Sequence, residues 1–173
     1  ARRGVIGVGA VLLQLACAMA LLVLAGDSLG QGPWPTGIGV YLLGDWPAPF
    51  GIVLVVDRLA AVMLALTAVL GLLCLVYSLP RWERSGVHFH PLFQFQLMGL
   101  NGAFLTGDLF NLFVFFEVLL AASYGLLLHG SGMARVGAGM HYIAVNLVAS
   151  FLLLISIALI YGVTGTLNLA DLA

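Results

Sequence analysis

Asp108–Leu128, DLFNLFVFFEVLLAASYGLLL, is an unbroken apolar run with a single carboxylate inside it. As a helix rising about 1.5 Å per residue it extends about 31 Å, against roughly 30 Å of hydrocarbon in a bilayer. Asp108 supplies an N-cap, and Glu117 is the one carboxylate inside the run. Nine residues past Asp108, Glu117 falls about 13 Å along the helix, close to the bilayer midplane. The rest of the chain agrees with a membrane setting. Of its 173 residues, 62% are hydrophobic and 8% charged, where soluble domains carry roughly 25% charged residues. A water-soluble globule is excluded. The net charge of −1 offers no basic field for nucleic acid, which is dropped as a partner.

Five apolar segments emerge along the chain: about residues 4–25, 58–79, 89–106, 108–128 and 135–161. The first is longer than the roughly 7 to 15 residues of a signal-peptide core, with Gln14 its one strongly polar residue. The second follows Asp57, a helix N-cap with a local ion pair to Arg58, and stops at Pro80. The third is short and carries Gln94, Gln96 and Asn101. Little more than Gly107 and Asp108 separates it from the fourth, which demands an antiparallel hairpin. The fold class is therefore all-α: a polytopic membrane protein forming a single membrane domain over 1–173. Between the first two spans, Gly39–Leu43 and Gly51–Val55 flank the turn GDWPAPF and predict a short external β-hairpin.

All six basic residues are arginines, and the chain has no lysine. Arg2, Arg3, Arg81, Arg84 and Arg135 gather on one side of a five-span topology, with Arg58 alone on the other. The positive-inside rule makes the first side, and the N-terminus, cytoplasmic. Asp27, Asp45, Asp57, Asp108 and Asp171 then fall outside, and Trp34, Trp46 and Trp82 near the interfaces.

A charged carboxylate at the midplane costs roughly 2.5 to 3.5 kcal/mol on insertion scales unless it faces protein or water. Holding a proton or facing a cation lowers that cost, and either makes Glu117 switchable. Proton transfer is the functional reading; a buried packing residue is the alternative. Ala121 and Tyr124, at i+4 and i+7, share its helical face and offer a short wet path. His141, near the inner end of the fifth span, is a candidate proton relay or an interfacial hydrogen bonder. Asn146 and Ser150 follow it at i, i+4 spacing. Gln94 and Asn101, seven apart, share a face as helix-packing amides, and Gly99 with Ala103 forms a small-xxx-small pair. Cys17 and Cys74 sit in apolar runs as small hydrophobes. His88 and His90, two apart, do not share a helical face. With no nucleotide loop, CxxC pair or Ser-His-Asp set, neither a metal nor a cofactor is expected, and an enzyme with a soluble site is not indicated.

Three stretches carry a family resemblance: Phe89–Tyr124 (FHPLFQFQLMGLNGAFLTGDLFNLFVFFEVLLAASY), Asp45–Leu54 (DWPAPFGIVL) and Tyr161–Ala173 (YGVTGTLNLADLA). They closely resemble the D subunit of the Mrp-type multisubunit sodium/proton antiporters of bacterial cytoplasmic (inner) membranes. From Gly44 onward most of the chain takes part. The family is related to antiporter-like subunits of respiratory complex I and membrane-bound hydrogenases. The resemblance implies that Glu117 matches a carboxylate on the family's fifth helix, protonated and deprotonated during transport. It also implies a lysine on a later, broken helix as its charge partner. Full subunits have about fourteen helices with inverted repeats, so the chain reads as a piece covering family helices two to six. The absence of a starting methionine points the same way. Expected partners are the remaining helices of that subunit, other antiporter subunits in a hetero-oligomer, lipid, protons and sodium.

The reading chosen is sodium/proton antiport, with Glu117 in proton transfer and His141 a relay on the inner side. The alternative is the same module within a redox-driven pump, a complex I-type quinone oxidoreductase or hydrogenase. A purely structural membrane subunit is the third.

Overall fold

A computed structural model describes residues 2–26, 33–34, 36–46, 51–80, 86, 88–130 and 132–173. Arg81, Trp82, Arg84, Asp27 and the turn segment 47–50 lie outside the described residues. The rest form helices α1 (Arg2–Gly26), α2 (Arg58–Ser78), α3 (Phe89–Leu105), α4 (Leu109–Leu128), α5 (Met133–Thr164) and α6 (Leu169–Leu172), with strands β1 (Gly39–Leu42) and β2 (Val53–Val56) between α1 and α2. The chain is mostly helical, as its apolar runs predict. Backbone groups in hydrocarbon must bond within their own segment, and helices do that.

Helices α1, α2, α4 and α5 are long and apolar enough to cross a membrane. At 17 residues, α3 rises about 26 Å, slightly under the hydrocarbon thickness. It lies between its neighbours, antiparallel to both α2 and α4 and alongside α1. Its amides therefore meet protein. Helix α5 has 32 residues, longer at both ends than the predicted 135–161. It ends where Gly165 adopts φ 73° and returns its N–H to the Tyr161 carbonyl at 2.8 Å, a left-handed cap that glycine adopts without a Cβ penalty.

Two apolar clusters bind the first three helices. Val11, Leu75, Phe89 and Leu97 pack at one level, and Ala18, Leu64 and Ala65 at another. Between α3 and α4 the contact is closer still, because glycines stand where side chains would collide. A Cβ on Gly99 would lie 2.8 Å from the Leu119 amide nitrogen and 2.9 Å from its Cα, and one on Gly102 would run into the Phe115 ring. The sequence pattern pairs Gly99 with Ala103; the structure sets Gly99 and Gly102 against α4, one turn of spacing at i, i+3.

At the end of the bundle opposite the α1 N-terminus, side chains and backbone finish the helix ends. Asp57 accepts from the Ala60 N–H at 2.7 Å, capping α2. Arg58 caps a different helix from the one it starts: its guanidinium donates to the carbonyls of Ala25 and Gly26, at the end of α1, where the dipole favours a cation. The hairpin pairs Gly39 with Val56 and Leu42 with Val53, antiparallel. A three-residue 3₁₀ turn follows β1 directly, and Leu43 N–H closes on the Ile52 carbonyl at 3.0 Å.

The α3–α4 turn is held from two sides. Gly107 donates to the Val53 carbonyl of β2 at 2.8 Å, while the Gly107 carbonyl accepts from Leu169 and Leu109 donates to Leu167, both at 2.9 Å. Buried Thr106 receives the Asn111 amide at 3.0 Å, and Asp108 caps α4 by accepting from the Asn111 N–H at 2.8 Å. Any Cβ at Gly107 would lie 2.8 Å from Val55 Cγ2.

Two outcomes are expected. Gly99→Ala, which forces a methyl into the Leu119 backbone, lowers stability by about 1 to 3 kcal/mol, whereas Gly9→Ala, facing open space, is neutral or stabilising by up to about 1 kcal/mol. Thermal melting of the detergent-solubilised full subunit separates the two; equal melting points would refute the close contact. Gln14 donates to Gln94 Oε1 at 3.1 Å between α1 and α3, so a double-mutant cycle with leucine at both positions should give a coupling of about 0.6 kcal/mol. Strict additivity would show that the bond contributes nothing.

Candidate functional site

Glu117 lies near the middle of α4, which runs from Leu109 to Leu128. It is half-buried. The Ser150 hydroxyl of α5 donates to its Oε1. Ser150 also stands near the middle of its own helix, so the two meet at the same depth. A hydroxyl of this kind serves either protonation state: it donates to a carboxylate, or accepts from a carboxylic acid after turning.

The remaining candidates divide by position. Tyr124 lies two turns from Glu117 toward the C-terminal end of α4, and its ring meets that of Tyr142 on α5 edge-on, centroids 5.7 Å apart at 83°. Asn146 donates to the Tyr142 carbonyl at 2.9 Å, one turn back along α5. His141 does not reach the carboxyl. Its exposed ring sits with Nδ1 3.2 Å from the Gly137 carbonyl, and nine residues separate it from Ser150, about 13 Å along the helix.

Gln94 and Asn101 lie elsewhere, on the α1–α3 side. Gln94 holds Gln14 and donates to the Gly7 carbonyl at 3.3 Å. Asn101 lines a cavity of about 150 Å³ with Gln14, Cys17 and Leu64. These amides and Glu117 form separate groups, one joining α1 to α3 and one joining α4 to α5.

At the end of the bundle that holds the α1 and α5 N-termini, buried His129 takes a ring contact from Phe89 at 5.7 Å, and its carbonyl accepts from Arg135. Buried His90 lies against α1, where a Cβ on Gly7 would come 2.8 Å from its Nδ1. Exposed His88 precedes α3.

Two polar residues near Glu117, Ser123 and Tyr142, are not among the candidates that the sequence singles out. Ser123 donates to the Leu120 carbonyl at 2.7 Å and meets the Tyr142 hydroxyl at 3.3 Å. One signal points to the tyrosine: Tyr142, Asn146 and Ser150 stand at i, i+4 and i+8, a polar stripe on one face of α5.

The family profile described as "NADH:quinone oxidoreductase/Mrp antiporter, TM" matches residues 106–173, which include Glu117 and the whole stripe. The D subunit of a probable K(+)/H(+) antiporter from Rhizobium meliloti is 63% identical over 171 residues, 99% of this chain and 31% of that protein. The D subunit of the Na(+)/H(+) antiporter of Alkalihalophilus pseudofirmus is 46% identical over 154 residues, covering 88% of this chain and 31% of that protein. In the solved structure of the Mrp complex from Dietzia sp. DQ12-45-1b, one chain superposes with a TM-score of 0.86 at 39% identity, covering 97% of this chain and 31% of that one. The chain thus spans about a third of the length of the curated relatives it matches. With long helices in antiparallel sequence, a β-hairpin between the first two and these likenesses, its sequence and fold match a stretch of the Mrp-type antiporter D subunits.

Proposed function

We propose that this chain works within the membrane subunit of a multisubunit monovalent cation/proton antiporter, and that Glu117 takes up and releases the transported proton. One observation carries the reading: a carboxyl in the middle of an apolar helix, joined to a hydroxyl of the next helix at equal depth. Leucine would fill that place at no electrostatic cost, whereas an ionisable group inside a membrane is by default functional. Ser150 positions the carboxyl, and Tyr124 and Asn146 flank the way to it. His141, exposed near the α5 N-terminus, gathers protons on that side.

Relatives named for both K(+) and Na(+) exchange support a monovalent cation; sodium is the cation proposed, moved outward against inward protons. The subunit acts as a secondary transporter rather than an enzyme, within a hetero-oligomer in a bacterial cytoplasmic membrane, with the α1 N-terminus inside. A lysine on a helix beyond this chain serves as the charge partner of Glu117, since the chain has none. Residues 1–173 form one membrane domain of that subunit. A second reading has specific support: the matching family profile also covers NADH:quinone oxidoreductases, so the same carboxyl would suit a redox-driven pump. Copurifying iron–sulfur or flavin subunits would mark that case.

The test is cation-dependent proton exchange in inverted vesicles carrying the complete antiporter, with variants matched for expression. Glu117→Gln should reduce exchange at least about 100-fold, the lower range for loss of a positioned proton-transfer group, while Glu117→Asp keeps a measurable fraction. Wild-type exchange in Glu117→Gln would leave the carboxyl a packing residue.

A further inference from the structure

Helices α4 and α5 meet along a line of polar side chains, not at one point. Ser150 bonds Glu117. Two turns away, Tyr142 on α5 meets Ser123 on α4, hydroxyl to hydroxyl at 3.3 Å. Asn146 lies between them on the same face of α5, with its amide on the Tyr142 carbonyl. Both ends of the line fit one antiparallel register: Glu117 with Ser150, Ser123 with Tyr142, and Leu128 against Gly139. The line therefore runs from mid-helix toward the end of the bundle where α4 stops and α5 begins.

The hydroxyl geometry gives the line a direction. Ser123 spends its proton on the Leu120 carbonyl at 2.7 Å. In the bond to Tyr142, then, the phenol is the donor and Ser123 Oγ the acceptor. As a donor to Ser123, the Tyr142 oxygen still has lone pairs with which to accept, and the residue is exposed. A phenol so placed accepts a proton from one neighbour as it gives its own to the next, and remains neutral throughout. Neighbouring positions on this face stand about 5 to 6 Å apart, a gap that one bridging water closes.

Resting on the reading of Glu117 as the titrating carboxyl, we propose that Tyr142, held at rest by Ser123, is a proton relay joining Glu117 to the membrane side that bears the α5 N-terminus. The phenol turns from Ser123 Oγ to water beside Asn146 and Ser150, and gives its proton toward Glu117 as another proton enters at its oxygen. The reverse hop empties the carboxyl. No charge is left on the tyrosine in either direction, so nothing but the proton has to be carried across the apolar stretch.

Tyr142→Phe tests this, because it removes the hydroxyl and keeps the ring against Tyr124. In the complete antiporter in inverted vesicles, the maximal exchange rate should fall about 5- to 20-fold. The half-saturating cation concentration and the amount of assembled complex should stay unchanged, and the solvent deuterium effect on the maximal rate should rise. Ser123→Ala, which removes one partner of the phenol, should lower the rate about 2- to 5-fold. Wild-type rates in Tyr142→Phe alongside an inactive Glu117→Gln would overturn the relay and leave the carboxyl's role intact. Wild-type rates in Glu117→Gln would instead remove the reading on which the relay rests. A rise in half-saturating cation with an unchanged maximal rate would make Tyr142 a packing residue, and would overturn the relay as well.

Discussion

The turn Thr106–Gly107–Asp108 bears more of the architecture than its length suggests. It joins two helices that run side by side, and its backbone is gripped by β2 on one flank and by residues 167–169 on the other. Three segments distant in sequence are thereby tied at one membrane surface. The helix α4 begins at that point, capped by Asp108, so the turn sets how deep every α4 side chain lies. Glu117 stands mid-helix because Leu109 is fixed at the start of α4. A shift of the turn by one residue would rotate the carboxyl about 100° away from α5. The buried hydrogen bonds of Thr106 and Asn111 resist that rotation, since a broken one leaves a polar group unsatisfied at a cost of about 1 to 3 kcal/mol.

Below the turn, association depends on a different physics. Lipid tails are as apolar as leucine, so the hydrophobic effect does little to hold helices together inside a membrane. Close packing and side-chain hydrogen bonds take over. Gly99 and Gly102 admit α4 to near backbone contact, and Gln14 with Gln94 joins α1 to α3. The short α3 gains the most. Its polar residues would be poorly tolerated facing lipid, and three surrounding helices give them protein neighbours. In α5, by contrast, Gly139 and Ile157 are the buried residues among those described, and its grip on α4 rests on the line of polar contacts.

Much of this is legible in the sequence. Length and hydropathy place the spans, Asp57 and Asp108 announce helix starts, and the β-branched residues on either side of a Gly/Pro turn mark the hairpin. The mid-helix place of Glu117 follows from a single count along α4. Pairing between helices is not legible in the same way. Folding the α4–α5 hairpin about the middle of residues 129–132 would set Glu117 opposite Ala144; the actual register brings Ser150 there, a displacement of about 9 Å along α5. Neither the caps nor the periodicity encodes that displacement, because it depends on how the loop leaves α4 and on the fit of Gly139 against Leu128. For the same reason Arg58 looks in the sequence like a partner for Asp57, whereas it finishes a helix 32 residues away.

The face that α4 and α5 present outward sharpens the functional argument. Tyr142, Asn146, Ser150 and Glu117 lie along it, and the rest of α5 is largely exposed. Hydroxyls and an amide set against acyl chains would each lose hydrogen bonds to water without replacement. A carboxyl among them would lose more. A polar line this long is stable at membrane depth only beside further protein or beside water held by protein. Relatives about three times as long as this chain have further chain that could cover it. A covering of that kind would keep lipid from Glu117, which lies among the same side chains, and would leave its hydrogen bond to Ser150 in place.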